Sequence, residues 1–211
     1  MKITKYGHSC LLIEESGARI LIDPGTMSKG FEDLRDLSAI LITHQHADHV
    51  DFVRLEQLVA DNPHVQIVSD EGAHDLLAQH KLHGKVVHEG DEFEIAGVKI
   101  SVHGKWHEVI HPNLPNVPNV GYLIAGRFFH PGDAHTSPKE LVELLGLPTA
   151  GPWARLSDTT DYALKVKPKI VVPIHDGILA NPAMFNGWIG SLLKEHGIEL
   201  ISIENGKTIE L

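Results

Sequence analysis

Four apolar residues, Ala39 to Ile42, lead directly into Thr43-His44-Gln45-His46-Ala47-Asp48-His49. A short apolar run of this kind reads as a buried strand, so the histidines are mounted on a strand end. In extended chain the side chains at i and i+2 share a face. His44 and His46 can therefore converge on one ion, and Asp48 continues the same face. A helix is expected from Val50 to Ala60, with Val50, Val53, Leu55, Leu58 and Val59 as its apolar stripe, and His49 is expected to start it. His49 then points elsewhere, so that Asp48 and His49 can serve a second ion beside the first. Neutral imidazole and carboxylate suit zinc, and also manganese, iron or cobalt.

Four ligands in one loop do not fill two coordination spheres. The chain repeats the same plan of strand, sharp turn and ligand in VKISVHGKWH, RFFHPGD and KIVVPIH, which offer His107, Asp133 and His175. Between these segments the periodicity predicts strands at 2–6, 9–14, 18–22, 39–43, 65–69, 85–88, 92–95 and 98–103 in the first half. In the second half it predicts strands at 120–125, 127–130, 145–149, 170–174, 198–203 and 207–210. Helices are expected at 72–81, 138–144, 158–167 and 183–196. Strands dominate each half and helices punctuate them, which predicts helices outside two stacked sheets. No linker or repeat divides the chain, so residues 1–211 are expected to form one domain.

Composition narrows the partners. A formal net charge of -10 argues against a surface that grips nucleic acid. No apolar run approaches membrane-spanning length, and the apolar stretch from Cys10 to Ile13 is too short for a signal-peptide core. Cys10 is the single cysteine and is expected to pack as a small apolar group, which fits a reducing cytoplasm. The compositional anomaly is the count of 16 histidines.

THQHADH, with PGD and VPIH downstream in that order, resembles the metallo-β-lactamase superfamily. YGHSCLLIEESGARILIDPG is similar to the N-terminal meander of its small single-domain branch, which includes L-ascorbate 6-phosphate lactonase-like proteins. The resemblance implies an α/β fold, a four-layer αββα sandwich with a dinuclear site along one edge. It also implies that His44, His46 and His107 hold one ion, that Asp48, His49 and His175 hold the other, and that Asp133 bridges both. The cofactor implied is a pair of divalent metal ions, zinc first, with manganese or iron as alternatives.

His103 and His111 compete with His107 for the third motif. His103 lies within a strand, on the face of Lys99 and Ser101, which favours His107. Asp133 has a plainer alternative as a turn brace. His8 and Asp23 lie at strand ends that in the resembling branch are near the metals, where they can orient ligand imidazoles; the alternatives are a core histidine and a turn aspartate. His130 and His135 stay equally open. His64, His74, His80, His83, His88 and His196 are read as solvated.

The chemistry expected is hydrolysis of an ester-type bond (lactone, ester or phosphodiester) in a small molecule, by metal-bound hydroxide, with Asp48 and Asp133 as the catalytic carboxylates. The proline-rich loop HPNLPNVPN offers His111, Asn113, Asn116 and Asn119 to a substrate. Trp153 offers an aromatic wall and Arg155 a cation for an anionic group; the alternatives are a buried core tryptophan and a surface ion pair. Histidine at position 49, where true metallo-β-lactamases usually carry arginine, and the absence of a cysteine near PGD argue against antibiotic hydrolysis. Two further readings belong to other classes: a metal-binding scaffold or sensor without turnover, and an iron-dependent sulfur dioxygenase.

Overall fold

Short strands joined by tight turns pair with their sequence neighbours, and the computed structural model, which describes residues 1–211, shows this in both halves. The first half forms β1 (Lys2–Gly7), β2 (Cys10–Glu15), β3 (Ala18–Ile22), β4 (Ala39–Ile42), α1 (Phe52–Ala60), β5 (Gln66–Ser69), α2 (Glu71–Gln79) and β6 (Lys85–Val86). The second half begins with β7 (Glu92–Ile95), β8 (Val98–His103), β9 (Gly121–Ile124), β10 (Phe128–His130) and β11 (Leu144–Pro148). It continues with α3 (Leu156–Val166), β12 (Ile170–Ile174), α4 (Pro182–Lys194), β13 (Glu199–Leu200) and β14 (Thr208–Glu210). One sheet has the order β14-β1-β2-β3-β4-β5-β6 and the other β13-β12-β11-β10-β9-β8-β7.

Residue alternation along the strands sets the layers. Ile20, Ile22 and Leu41 face inward and pack with Ile100, Tyr122, Phe128 and Val172 of the opposite sheet. Their neighbours Leu21, Ile40 and Ile42 face outward and are covered by Leu55 and Leu58 of α1 and Leu77 of α2. On the other side, Phe129, Leu145 and Val171 meet Tyr162 of α3 and Ile189 and Leu193 of α4. A strand covered on both faces must be apolar at nearly every position, which is why these runs look continuous rather than alternating. The result is the expected αββα sandwich.

Strand direction explains where the site lies. β3, β4 and β5 are parallel, as are β10, β11 and β12. Two antiparallel steps relate β1 to β3, and two relate β8 to β10. The carboxyl ends of β1, β3 and β4 therefore gather at one edge, and those of β8, β10 and β12 at one edge of the second sheet. The edges are tied together by Tyr122, whose buried hydroxyl donates to the Ile42 carbonyl at 2.9 Å, and by Val120, whose N–H donates to the Thr43 carbonyl at 3.0 Å.

Several sequence expectations are corrected. No helix forms over 138–144: Pro138 begins the segment, Leu141 is 93% exposed with nothing to pack against, and β11 already starts at Leu144. α1 begins at Phe52, N-capped by the Asp51 carboxylate on the Arg54 N–H, so His49 lies in the preceding turn and does not start the helix. Val53 is 74% exposed and is not part of the apolar stripe. The strands expected at 85–88 and 198–203 shrink to two residues each, both at sheet edges where one partner is missing. No helix is long and apolar enough to cross a membrane.

Candidate metal centre

Each residue of the centre follows a strand end, and three of them take a left-handed backbone conformation there: His8 with φ 47°, Asp23 with φ 48° and His175 with φ 57°. That region is disfavoured for non-glycine residues, so packing must hold these turns in place. Lys5 and Asp176 do so for His175. The buried Lys5 ammonium donates to both Asp176 oxygens, at 2.8 and 2.7 Å, and to the Pro173 carbonyl at 2.8 Å.

The histidine loop is braced by the Asp23-Pro24-Gly25 turn. Thr26 N–H donates to the Ala47 carbonyl at 2.8 Å and Asp51 N–H to the Pro24 carbonyl at 3.0 Å. Gly25 lies so close that a Cβ would collide with the Asp48 carbonyl. Gly132 of PGD has φ +65°, and a Cβ there would collide with Asn119 and with Thr43.

The structure brings together all seven residues expected to bind metal. His44, His46 and His107 form one group with ligand atoms within 4.8 Å of one another, and His44, His49 and Asp133 form a second. Asp48, His49 and His175 form a third, which also includes His8. Asp133 stands between them. One of its oxygens is 3.1 Å from His49 Nε2; the other is 2.9 Å from His175 Nε2, 3.2 Å from His107 Nε2 and 4.0 Å from His44 Nε2. His49 Nε2, His107 Nε2, His175 Nε2 and Asp133 Oδ1 are all buried without a hydrogen-bond partner. Buried polar atoms left unpaired are costly, and donors of this type aimed at a common point fit a divalent ion.

The far sides of the rings are fixed. Fully buried Asp23 accepts from His49 Nδ1 at 2.7 Å, from the Thr43 amide at 2.8 Å and from the Thr43 hydroxyl at 2.8 Å. That hydroxyl in turn accepts from His44 Nδ1 at 3.0 Å. His107 Nδ1 donates to the Glu108 carbonyl at 2.5 Å. These bonds hold a proton on Nδ1, so that Nε2 of His44, His49 and His107 is the atom each ring would offer to a metal.

His8 accepts from the Gly177 N–H at Nδ1, 3.2 Å, and so donates from Nε2 to Asp48 at 3.1 Å; it orients Asp48. His130 accepts from Gly132 N–H and donates to the Ser9 carbonyl at 3.0 Å, tying the two sheets together. His103 contacts Ser101 and Glu140, away from the cluster, and is half-buried. His74 and His80 are also half-buried; His80 stacks on Phe52 with ring centroids 4.7 Å apart.

Electrostatics divide the imidazoles. Burial, with His49 nearby, pushes His44 well below the ordinary histidine range, and burial with His107 lowers His46. Burial also opposes charge on His49 and His175, but carboxylates overcome it: Asp133 and Asp23 raise His49 well above the ordinary range, and Asp133 with Asp48 raises His175 to about 9. Asp133 resists protonation despite burial because His49, His107 and His175 surround it. Without metal, protons on His49 and His175 supply the positive charge that the carboxylates demand.

The expected substrate groups fare unequally. Trp153 is half-buried with its ring edge-on to His107 and His175, at centroid distances of 5.9 and 5.7 Å, and forms a wall of the site. His111 lines a hollow shared with His46 and His107. Arg155 is not brought to the cluster: its side chain is 87% exposed and pairs with Asp158 at 3.9 Å. Asn119 does not face a substrate, because it is fully buried, donating to the Pro131 carbonyl and accepting from the Asp133 N–H at 3.0 Å. Asn116 donates to the His107 carbonyl at 2.9 Å. Thr43 and the Lys5–Asp176 pair are absent from the sequence expectations, and Asn119 is expected at the substrate rather than in the Asp133 turn. Thr43 alone carried a signal, as a hydroxyl immediately before the first histidine.

A family profile described as the β-lactamase superfamily domain matches residues 2–175. The chain belongs to the β-lactamase superfamily. Among superfamily relatives, it is 44% identical to the Mycobacterium tuberculosis protein Rv0786c over 188 residues, 87% of each chain. It is 31% identical to a Geobacillus protein named a UPF0173 metal-dependent hydrolase, over 95% of this chain and all of that one. A crystal structure from Parabacteroides distasonis, described as a putative metal-dependent hydrolase, shares the fold with a TM-score of 0.76 at 24% identity, covering 96% of this chain and 92% of that one.

Proposed function

We propose that this superfamily member is a metal-dependent hydrolase that holds two divalent ions and cleaves an ester-type bond in a small molecule. The observation that carries the reading is Asp133, whose two oxygens separately approach His49 and the pair His107 and His175, with their facing atoms unpartnered. His44, His46 and His107 would hold one ion, and Asp48, His49 and His175 the other, with Asp133 shared. When bound, such ions polarise the bond under attack and make water ionisable near neutral pH.

The chain's own residues supply the rest. Asp23, Thr43 and the Glu108 carbonyl hold the imidazoles in the ligating tautomer. His8 keeps Asp48 turned toward His175, 3.5 Å away. Trp153 packs edge-on against the buried rings of His107 and His175. Zinc is the metal we favour, since imidazole outnumbers carboxylate in the set and the hydrolytic reading needs no redox change. The test is metal quantification on the purified protein coupled to turnover of lactones, esters, thioesters and phosphodiesters. Metal-dependent release of product from one of these classes supports the reading; a metal-loaded protein inert to all of them contradicts it.

A further inference from the structure

The geometry points to a substrate whose reacting ester carries an uncharged aliphatic chain, received by a rim formed by Val109, Ile110 and Leu114. This inference rests on the hydrolytic reading above. The three side chains are 59%, 37% and 57% exposed, and with the cluster residues His46 and His107 they border a hollow of about 20 Å³, room for one water, so that an acyl chain would lie along their open faces. Grouped aliphatic side chains left open to water beside reactive groups mark a binding surface more than a solvated loop.

The rim is fixed to the site. His107 N–H donates to the Val117 carbonyl at 3.1 Å and Glu108 N–H to the Asp133 carbonyl at 2.8 Å, so both ends of the loop are tied to the cluster. Leu114 N–H closes a turn on the His111 carbonyl at 2.9 Å.

Charge points the same way. Recognition of phosphate or carboxylate groups relies on arginine or lysine, yet none of the hydrogen bonds or ion pairs of the seven cluster residues involves either. No arginine or lysine lines the hollow at the rim, and Lys5 is held by Asp176, Arg54 by Asp51 and Glu32, and Arg155 by Asp158, while Lys29 lies in a different hollow beside His8. A net charge of -10 adds a general bias against anions.

The test compares p-nitrophenyl hexanoate, p-nitrophenyl acetate and bis(p-nitrophenyl) phosphate on the metal-loaded full chain, with Val109→Asn and Leu114→Asn as variants. Four extra methylenes, partly covered by the rim, should favour the hexanoyl over the acetyl ester about tenfold in kcat/KM. In the variants that ratio should fall toward one while bound metal is unchanged, and hexan-1-ol should inhibit the wild type more strongly than ethanol. A hexanoyl preference that both variants retain, or a phosphodiester cleaved more efficiently than either carboxylic ester, overturns the inference and leaves hydrolysis standing. No turnover of any of the three overturns this inference, and the hydrolytic reading falls with it only if lactones and thioesters are inert as well.

Discussion

Asp23 accepts a hydrogen bond from His49 Nδ1 at 2.7 Å, and the same oxygen accepts from the Thr43 hydroxyl that orients His44. One buried carboxylate thus sets the ring orientation in both proposed metal positions. Removing its charge while keeping its size, Asp23→Asn, should weaken metal binding at both positions by about 10–100-fold. Competition titration with a chelating indicator checks this. Thr43→Val should weaken chiefly the position that includes His44; equal loss at both positions would contradict the relay.

Proton release should accompany metal uptake. His175 is raised to about 9 and His49 is raised well above the ordinary range, so both carry protons at neutral pH without metal. Binding must displace them, releasing about two protons per chain near pH 7.5. The sign for stability is opposite. A histidine raised on folding stabilises the metal-free protein fully below about pH 6.5, and this stabilisation fades as pH rises toward 9. The melting temperature in chelator should therefore fall across that window, while the increment from added zinc grows. Indicator-dye titration and thermal melts at pH 6.5 and 9 measure the two effects.

Gly132→Ala and Gly17→Ala separate local strain from damage to the site. Both glycines have positive φ, +65° and +88°, so each substitution carries a conformational cost of about 1 kcal/mol. Only at Gly132 would the new Cβ collide with Asn119 and Thr43; around Gly17 nothing lies within 4 Å. Metal affinity should drop in Gly132→Ala and stay unchanged in Gly17→Ala, although both lose stability.

Tyr122→Phe removes the hydroxyl that donates to the buried Ile42 carbonyl across the sheets. Leaving that carbonyl with one partner fewer should cost about 1–3 kcal/mol, read as a lower urea midpoint with the slope unchanged.

Much of this architecture was legible in the sequence because strands buried on both faces leave short, unbroken apolar runs, as in Ala39 to Ile42 and Ile170 to Ile174. The ligands were legible because each follows such a run. The helix expected at 138–144 failed where local pattern had no packing partner to enforce it, as the exposed Leu141 shows. Asn119 was misread because a buried amide that holds the Asp133 turn looks, in sequence, like any loop asparagine. Arg155 stayed open between a substrate cation and a surface ion pair because the two look alike in sequence, and its partner Asp158, three residues along, realises the second. The Lys5–Asp176 pair spans most of the chain, and no local signal announces it.

The metal content of the purified protein tests the central claim most directly. After stripping with chelator and dialysis against excess zinc, the wild type should retain two ions per chain by elemental analysis. His46→Ala should retain one, and Asp133→Ala should bind both weakly, with the far-ultraviolet circular dichroism of each variant matching the wild type. One ion or none in the folded wild-type protein, under saturating zinc and again under manganese and iron, would contradict the two-metal centre.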